Sequence, residues 1–437
     1  MTVRSVSNDR KPIAVFASDS PYYPTGFAKQ CSHIAGFAAE EMGWDVHYLA
    51  WQTRGNPKVE GYPFEIHGVL GRAPFGKDSY MPLFEKVGPD ILFTQGDGHM
   101  VDQLTSMPRP FWLWYFPIDG HPINRIIGNV LQRVDVRIAM SKYGRELVKR
   151  QMGLDSEYVP HGVDTKMYVP INKIESRKAF FEMYGLKPQK CDVEDAFIVG
   201  CVARMNLRKH HIRLLAAFSK FLNTGKSQQE IEEKKKKCYL YLHLDPKDPL
   251  FVPDPNHDYL FYEWIDVFGL NENVIITPER RADGKRYDFI NGIPEQDLVL
   301  LYNSFNVHAL TTGGEGFGIP TVEAMSCGVP TIITDYTTSR ELISVDEEGK
   351  ELPLELARGI AVPPSRLYLE NCGVHKAWVN IDAFALAIET YYQKPELRDK
   401  QSEEARKFAE KNYDWKVVEN MWKNVFEKVN NKVELVM

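Results

Sequence analysis

Val307-His-Ala-Leu310, Thr311-Thr-Gly-Gly-Glu-Gly-Phe-Gly318 and Ile319-Pro-Thr-Val-Glu-Ala-Met-Ser-Cys-Gly-Val-Pro330 run on without a break, and each part reads differently. The first is a short apolar run suited to a buried strand. The second carries glycines at 313, 314, 316 and 318, which let a backbone turn sharply and approach a ligand closely. The third places Pro320 in what would be the first turn of a helix, where a missing N–H costs nothing. Strand, glycine-rich turn and helix in that order make one half of a parallel β-α-β unit.

The same rhythm extends in both directions. Downstream of a charged stretch at 171–195 come apolar runs at 197–203, 239–244, 274–277, 305–310 and 329–334, with helical patterns near 209–224, 258–268, 295–303 and from Pro320. Upstream lie apolar runs at 12–17, 46–51, 91–94, 111–116 and 136–140, with helical patterns near 27–42, 79–87, 122–133 and 142–152. Near-continuous hydrophobic strands alternating with helices predict α/β architecture in two doubly wound lobes. The expected organisation is an N-terminal lobe at 1–165, an interlobe segment at 166–195, a second lobe at 196–395 and C-terminal helices at 396–437. In such sheets ligands bind beyond the carboxyl ends of the strands, here in a cleft expected between the lobes.

A chain of 437 residues is long enough for two cores of about 200 residues each. With 43% apolar and 26% charged residues it reads as globular rather than disordered. Lys and Arg total 53 against 59 Asp and Glu, so no global positive field recruits nucleic acid or an anionic membrane. The polar N-terminus and the lack of any long apolar run predict a cytoplasmic protein with no transmembrane segment. Cys31, Cys191, Cys201, Cys238, Cys327 and Cys372 lack paired spacing, which argues for free buried thiols and against zinc. The run Glu232-Glu-Lys-Lys-Lys-Lys237 reads as a solvated helix end, and Trp415, Val418, Met421, Trp422 and Phe426 as one packing face of a terminal helix.

Two carboxylates give the glycine turn chemical interest. Glu315 lies in the turn and Glu323 eight residues later on the helix. Paired glycosidase carboxylates stand about 5–9.5 Å apart, whereas eight residues of helix span about 12 Å, so separate duties on one ligand fit better than hydrolysis. The free amides of the turn and the helix N-terminus suit an anion such as a diphosphate. A second cluster, Arg204-Met-Asn-Leu-Arg-Lys-His-His211, follows the run at 197–203, where cations could neutralise a phosphate leaving group.

Residues 315–330 resemble the E-x7-E motif of the family-4 retaining glycosyltransferases, the glycosyl transferases group 1 type. Arg204 to His211 resembles that family's Gly-Arg-x4-Lys-Gly element, with Ala203 and His210 in place of the two glycines. Val159-Pro-His-Gly-Val-Asp-Thr165 is similar to its interlobe Pro-Asn-Gly-Val-Asp segment, with His161 for Asn and Asp164 a turn former. Ser141-Lys-Tyr-Gly144 resembles its serine-led helix start. The resemblance implies a GT-B fold of two Rossmann-like lobes, with a C-terminal helix crossing back to the first. It implies a metal-independent, retaining transfer of a sugar from a UDP-, GDP- or ADP-sugar, with no other cofactor. In that scheme Glu315 lies beside the donor sugar, and Glu323 binds the ribose. Gly314, Gly316, Phe317 and Gly318 hold sugar and diphosphate through their amides. Arg204 and Lys209 stabilise the leaving group during a front-face displacement, and Thr277 lies near the base.

The first lobe matches least well. Asp97-Gly-His99 and Asp119-Gly-His121 both follow apolar runs, and the resemblance makes Asp119 or His121 a candidate near the donor sugar, with a turn role as the alternative. Gly26, in Tyr22-Tyr-Pro-Thr-Gly-Phe27, is placed at the donor or acceptor edge; Tyr22, Tyr23 and Trp51 either stack on a sugar or pack internally. The acceptor stays open among saccharide, lipid, protein and nucleic acid, and the oligomeric state is silent. Rival readings are a sugar-nucleotide epimerase, which would need no acceptor, and a nucleotide-sugar-binding or assembly protein without turnover.

Overall fold

Ile13–Ser18 (β1), Asp45–Arg54 (β2), Glu65–Val69 (β3), Ile91–Gln95 (β4), Phe111–Phe116 (β5), Val136–Ala139 (β6) and Glu157–Tyr158 (β7) pair side by side in the order β3-β2-β1-β4-β5-β6-β7. Every pairing is parallel, so each strand is reached by a crossover. The computed structural model describes residues 10–55, 61–248, 259–287 and 292–436. Helix starts supply their own caps: Thr25, Asn124 and Ser141 accept from the amides of Ala28, Ile127 and Gly144 at the heads of helices Gly26–Glu40, Arg125–Arg133 and Lys142–Met152. The aromatic run at 111–116 is the buried interior strand β5, and its polar edges are satisfied. Trp112 Nε1 donates to Thr94 Oγ1 at 2.8 Å and Trp114 Nε1 to the Gly96 carbonyl at 3.0 Å. The sequence pattern does not reveal β3, because Glu65, His67 and Gly68 break any apolar run.

Contacts divide the chain into residues 1–162 with 415–437, and residues 163–414. The last helix, Trp415–Val436, belongs to the first unit. Its Trp422 and Phe426 meet Phe93, Tyr115 and Trp44 edge-on or tilted, with Trp422 and Tyr115 centroids 4.9 Å apart. Gly162 meets the same helix, and a Cβ there would stand 2.2 Å from the Trp415 ring. Gln30 clasps Gly162 through both its amide atoms, and Tyr115 OH bonds His161 Nδ1 at 2.8 Å. Burial holds His161 neutral, at about 3. Asp164 Oδ1 accepts from the amides of Lys166 and Met167, an Asx turn.

The second unit repeats the plan. Phe197–Val202 (β8), Cys238–His243 (β9), Val274–Ile276 (β10), Val307–Leu310 (β11), Thr331–Thr334 (β12) and Gly359–Val362 (β13) form a parallel sheet ordered β10-β9-β8-β11-β12-β13. An antiparallel ribbon of Pro364–Leu369 (β14) and His375–Val379 (β15) follows. Gly200 lets the ring of Phe305 lie against β8, where a Cβ would approach to 2.2 Å. The charged stretch 171–195 contains helix Lys173–Met183, whose Arg177 is buried and donates to the carbonyls of Val193, Ala196 and Ser304 and to Asn306 Oδ1. Helix Pro395–Tyr413 also lies in this unit, so of the C-terminal helices expected at 396–437 to return to the first lobe only the last groups with it.

Two further readings of the sequence need correction. The lysine run is not wholly solvated: Lys234 is fully buried, donating to the Thr224 carbonyl at 2.7 Å and paired with Glu389. Its long stem reaches inward while its neighbours stay in water. The thiols of Cys31, Cys201, Cys238 and Cys327 are buried, but Cys191 is only partly buried and Cys372 is exposed. No described helix is long and apolar enough to cross a membrane.

Candidate functional site

In the second sheet β8 and β11 are neighbours, and strand order reverses between them. The loops leaving their carboxyl ends therefore lie side by side, the position at which doubly wound sheets bind ligands. These loops are 203–210 and 311–318. They are stitched together by the Gly313 amide on the Arg208 carbonyl at 2.7 Å, and by Thr311 Oγ1 on the carbonyls of Lys209 and His210. Gly313 is required there, since a Cβ would come within 2.9 Å of His210 Cε1.

At the seam sits Glu315, only 5% exposed. Lys209 Nζ donates to its Oε1 at 2.6 Å and Arg208 to its Oε2 at 3.2 Å, while Arg208 also bonds the Gly314 carbonyl. Burial by itself pushes the Glu315 carboxyl up, but Lys209 and Arg208 more than reverse this and hold it at about 2. Burial lowers the Lys209 ammonium below its ordinary range, with Glu315 opposing. The backbone of Glu315 is clamped as well. Its amide donates to Thr337 Oγ1 at 2.9 Å, and its carbonyl accepts from Thr337 at 3.0 Å and Thr338 at 2.9 Å. Thr337 makes these bonds from a left-handed backbone, φ 54°, a conformation costing a β-branched residue about 1–3 kcal/mol. Strain of that kind persists where the surroundings over-determine it.

The other candidates of this unit fall around the seam. Arg204 is held by the fully buried Asp248 through Nε at 2.5 Å and its terminal nitrogen at 3.2 Å, and its side chain is 43% exposed. His210, which stands where the resembling family has glycine, keeps glycine's left-handed backbone at φ 51°, and its Nε2 bonds Tyr368 OH at 3.0 Å. Burial keeps that imidazole neutral, at about 4. Gly318, at φ 105°, heads helix Ile319–Ser326. Gly316 and Gly318 thus bring backbone amides to the positive end of a helix dipole. Phe317 offers its backbone only, because its ring is buried against Tyr413. Glu323 is buried on that helix, and Tyr302 OH donates to its Oε2 at 2.9 Å. Thr277, just past β10, bonds Tyr241 and His243 through Oγ1, both at 2.9 Å.

Asp119, His121 and Gly26 belong to the first unit. Asp119 and His121 lie in the segment after β5, where Asp119 is near enough to raise the Tyr143 phenol, though less than burial does. Gly26 opens helix Gly26–Glu40, beside Thr25, whose hydroxyl bonds Asp19 Oδ2 at 2.7 Å. Trp51 packs internally, with Nε1 on Tyr80 OH at 3.1 Å; Tyr22 is partly exposed beside Tyr62.

Sequence reasoning missed Arg208, Thr337, Thr338, Asp248 and Tyr302. Arg208 adjoins Lys209 and was legible as a third cation. Thr337 and Thr338 follow β12, the next strand whose carboxyl end faces the seam, and that placement was the available signal. Asp248 and Tyr302 carried none, since only packing brings them to Arg204 and Glu323.

With that geometry in hand, residues 279–408 match the family described as Glycosyl transferases group 1. The matched stretch contains Glu315, Glu323 and the glycine loop. A 55-residue segment is 36% identical to O-antigen chain mannosyltransferase B from Escherichia coli, spanning 13% of this chain and 14% of that protein. EpsD from Bacillus subtilis (strain 168), provisionally named a glycosyltransferase, is 23% identical over 87% of this chain and 89% of its own length. Anabaena HepE in complex with UDP-glucose superposes with TM-score 0.65 at 14% identity, over 95% of this chain and 99% of that one. The last likeness concerns fold alone. The fold is GT-B, built from two Rossmann-like units, and the group 1 match supports a glycosyltransferase.

Proposed function

We propose that the protein is a retaining glycosyltransferase that takes a sugar from a nucleotide-diphosphate sugar held in its second unit. The observation that carries this reading is the seam itself: a buried carboxylate, Glu315, held ionised by Lys209 and Arg208 in a loop that ends on a glycine-headed helix. Such a carboxylate would be a fixed negative group beside a sugar in which positive charge develops at the anomeric carbon. The amides at Gly314, Gly316, Phe317 and Gly318 would receive the diphosphate, and Arg204, oriented by Asp248, would meet its outer oxygens. Lys209 can serve a phosphate oxygen and Glu315 together, because an ammonium has three donors. These charges are fixed before the reaction, so they would stabilise the leaving diphosphate without rearranging. Glu323 would take the ribose hydroxyls, with Tyr302 fixing the carboxylate's other oxygen. The base would lie near Thr277, and Asp119, His121 and Gly26 are assigned to the donor sugar or acceptor. Transfer would be a metal-independent front-face displacement in which the departing phosphate accepts the acceptor's proton. The binding of UDP-glucose by a protein of the same fold supports a nucleotide-sugar donor.

The test is calorimetric binding and slow hydrolysis of UDP-, GDP- and ADP-sugars by the wild type, Glu323→Ala and Lys209→Ala. One donor should bind the wild type and bind both variants at least tenfold more weakly. Equal affinity in all three proteins, or no binding at all, would refute the assignment and favour a scaffold role.

A further inference from the structure

We propose that His47, Glu65 and His67 form a binding site for one divalent transition-metal ion of the zinc type, joining the two outer strands of the first sheet. In the β2–β3 register His47 pairs with Glu65 and Leu49 with His67. Side chains two apart on a strand leave the same face, so Glu65, His67 and His47 project together. His47 Nδ1 stands 3.0 Å from His67 Nε2 and 3.4 Å from Glu65 Oε2, and His67 Nε2 is 3.7 Å from Glu65 Oε1. The three ligand atoms all lie within 4.8 Å of one another, the one such group among the described residues.

Zinc sits about 2.0–2.1 Å from imidazole nitrogen, and a tetrahedral angle then separates two nitrogens by about 3.3 Å. The observed spacing needs to open by only a few tenths of an ångström. Two imidazoles with one carboxylate suit zinc and its neighbours rather than calcium or magnesium, which take oxygen sets. The fourth position would be water. The second nitrogen of His47 is 3.8 Å from Asp45 Oδ1, beyond hydrogen-bond distance, so Asp45 would have to close in to orient a metal-bound His47. His67 is buried, and that burial favours the neutral imidazole a metal requires, with Glu65 opposing.

The competing account is a plain hydrogen bond between the rings, with Glu65 paired to Lys86 at 3.4 Å. That pair is exposed on both sides and engages Oε1, while Oε2 faces His47. The cysteine spacing argued against zinc, but this donor set comes from histidines twenty positions apart that only strand pairing joins. β3 is a five-residue edge strand, and a metal would fasten it to β2 near the amino ends of both, remote along the strands from the ligand-binding ends.

The test uses full-length protein stripped of metal with a chelator, then titrated with zinc chloride by calorimetry and with cobalt(II) by visible absorption. A Cys191→Ser, Cys372→Ser background removes the less buried thiols as competitors. One equivalent should bind, with tetrahedral cobalt bands and a rise in melting temperature. Glu65→Gln and His67→Gln should each weaken zinc at least tenfold and abolish that rise. Should His67→Gln fail to fold, the half-exposed Glu65→Gln decides alone. Failure of the wild type to take up zinc, or affinity unchanged in Glu65→Gln, would overturn the proposal.

Discussion

Replacing Glu315 by Gln removes one charge from the seam while keeping its shape. The carboxyl stands at about 2 in the folded protein against 4.5 ordinarily, which favours the ionised fold by about 3 kcal/mol at neutral pH. Lys209 works against the pair, since burying its ammonium lowers its own pKa, so that figure is the upper end. The variant leaves Lys209 and Arg208 facing an amide, and a loss on the order of 3 kcal/mol is expected at pH 7. A carboxyl depressed by folding stabilises above its unfolded pKa and loses that contribution as pH falls towards its folded value. The gap between wild type and variant should therefore narrow from about 3 kcal/mol at pH 7 to about half that at pH 3. Urea denaturation followed by circular dichroism at both pH values measures it, and the difference cancels titrations common to both proteins. A gap that stays constant with pH, or one below about 1 kcal/mol at pH 7, would refute the view that Lys209 and Arg208 hold Glu315 ionised.

Tyr302→Phe deprives the buried Glu323 of a donor, and should lower stability by about 1–3 kcal/mol, read from the urea midpoint; an unchanged midpoint would mean the bond contributes nothing. Asp248→Asn removes the charge that orients Arg204, and should weaken donor binding about tenfold in calorimetry, whereas unaltered affinity would show that Arg204 needs no such support. Gly162→Ala drives a methyl into the Trp415 ring at 2.2 Å, and a loss of more than about 2 kcal/mol should appear as a lower melting temperature; wild-type behaviour would mean that the last helix does not press on this turn.

The alternation of apolar runs and helical patterns was sufficient for two parallel sheets, because strands buried on both faces must be hydrophobic throughout. The glycine loop and Glu315 were legible for a related reason: close backbone approach admits only glycine at Gly313, and left-handed turns favour it at Gly318. Lys209 was legible as a cation beyond a strand end, but its hold on Glu315 was not, since their separation of more than a hundred positions closes only when β8 and β11 pair. Thr337's clamp, Asp248 under Arg204, the buried Lys234 and the His47–Glu65–His67 cluster belong to the same class. Local sequence records what a residue prefers, and it determined strands, turns and the carriers of charge. Which charges meet, and which polar groups lose water together, depends on strand order and register, and only the tertiary structure decided that.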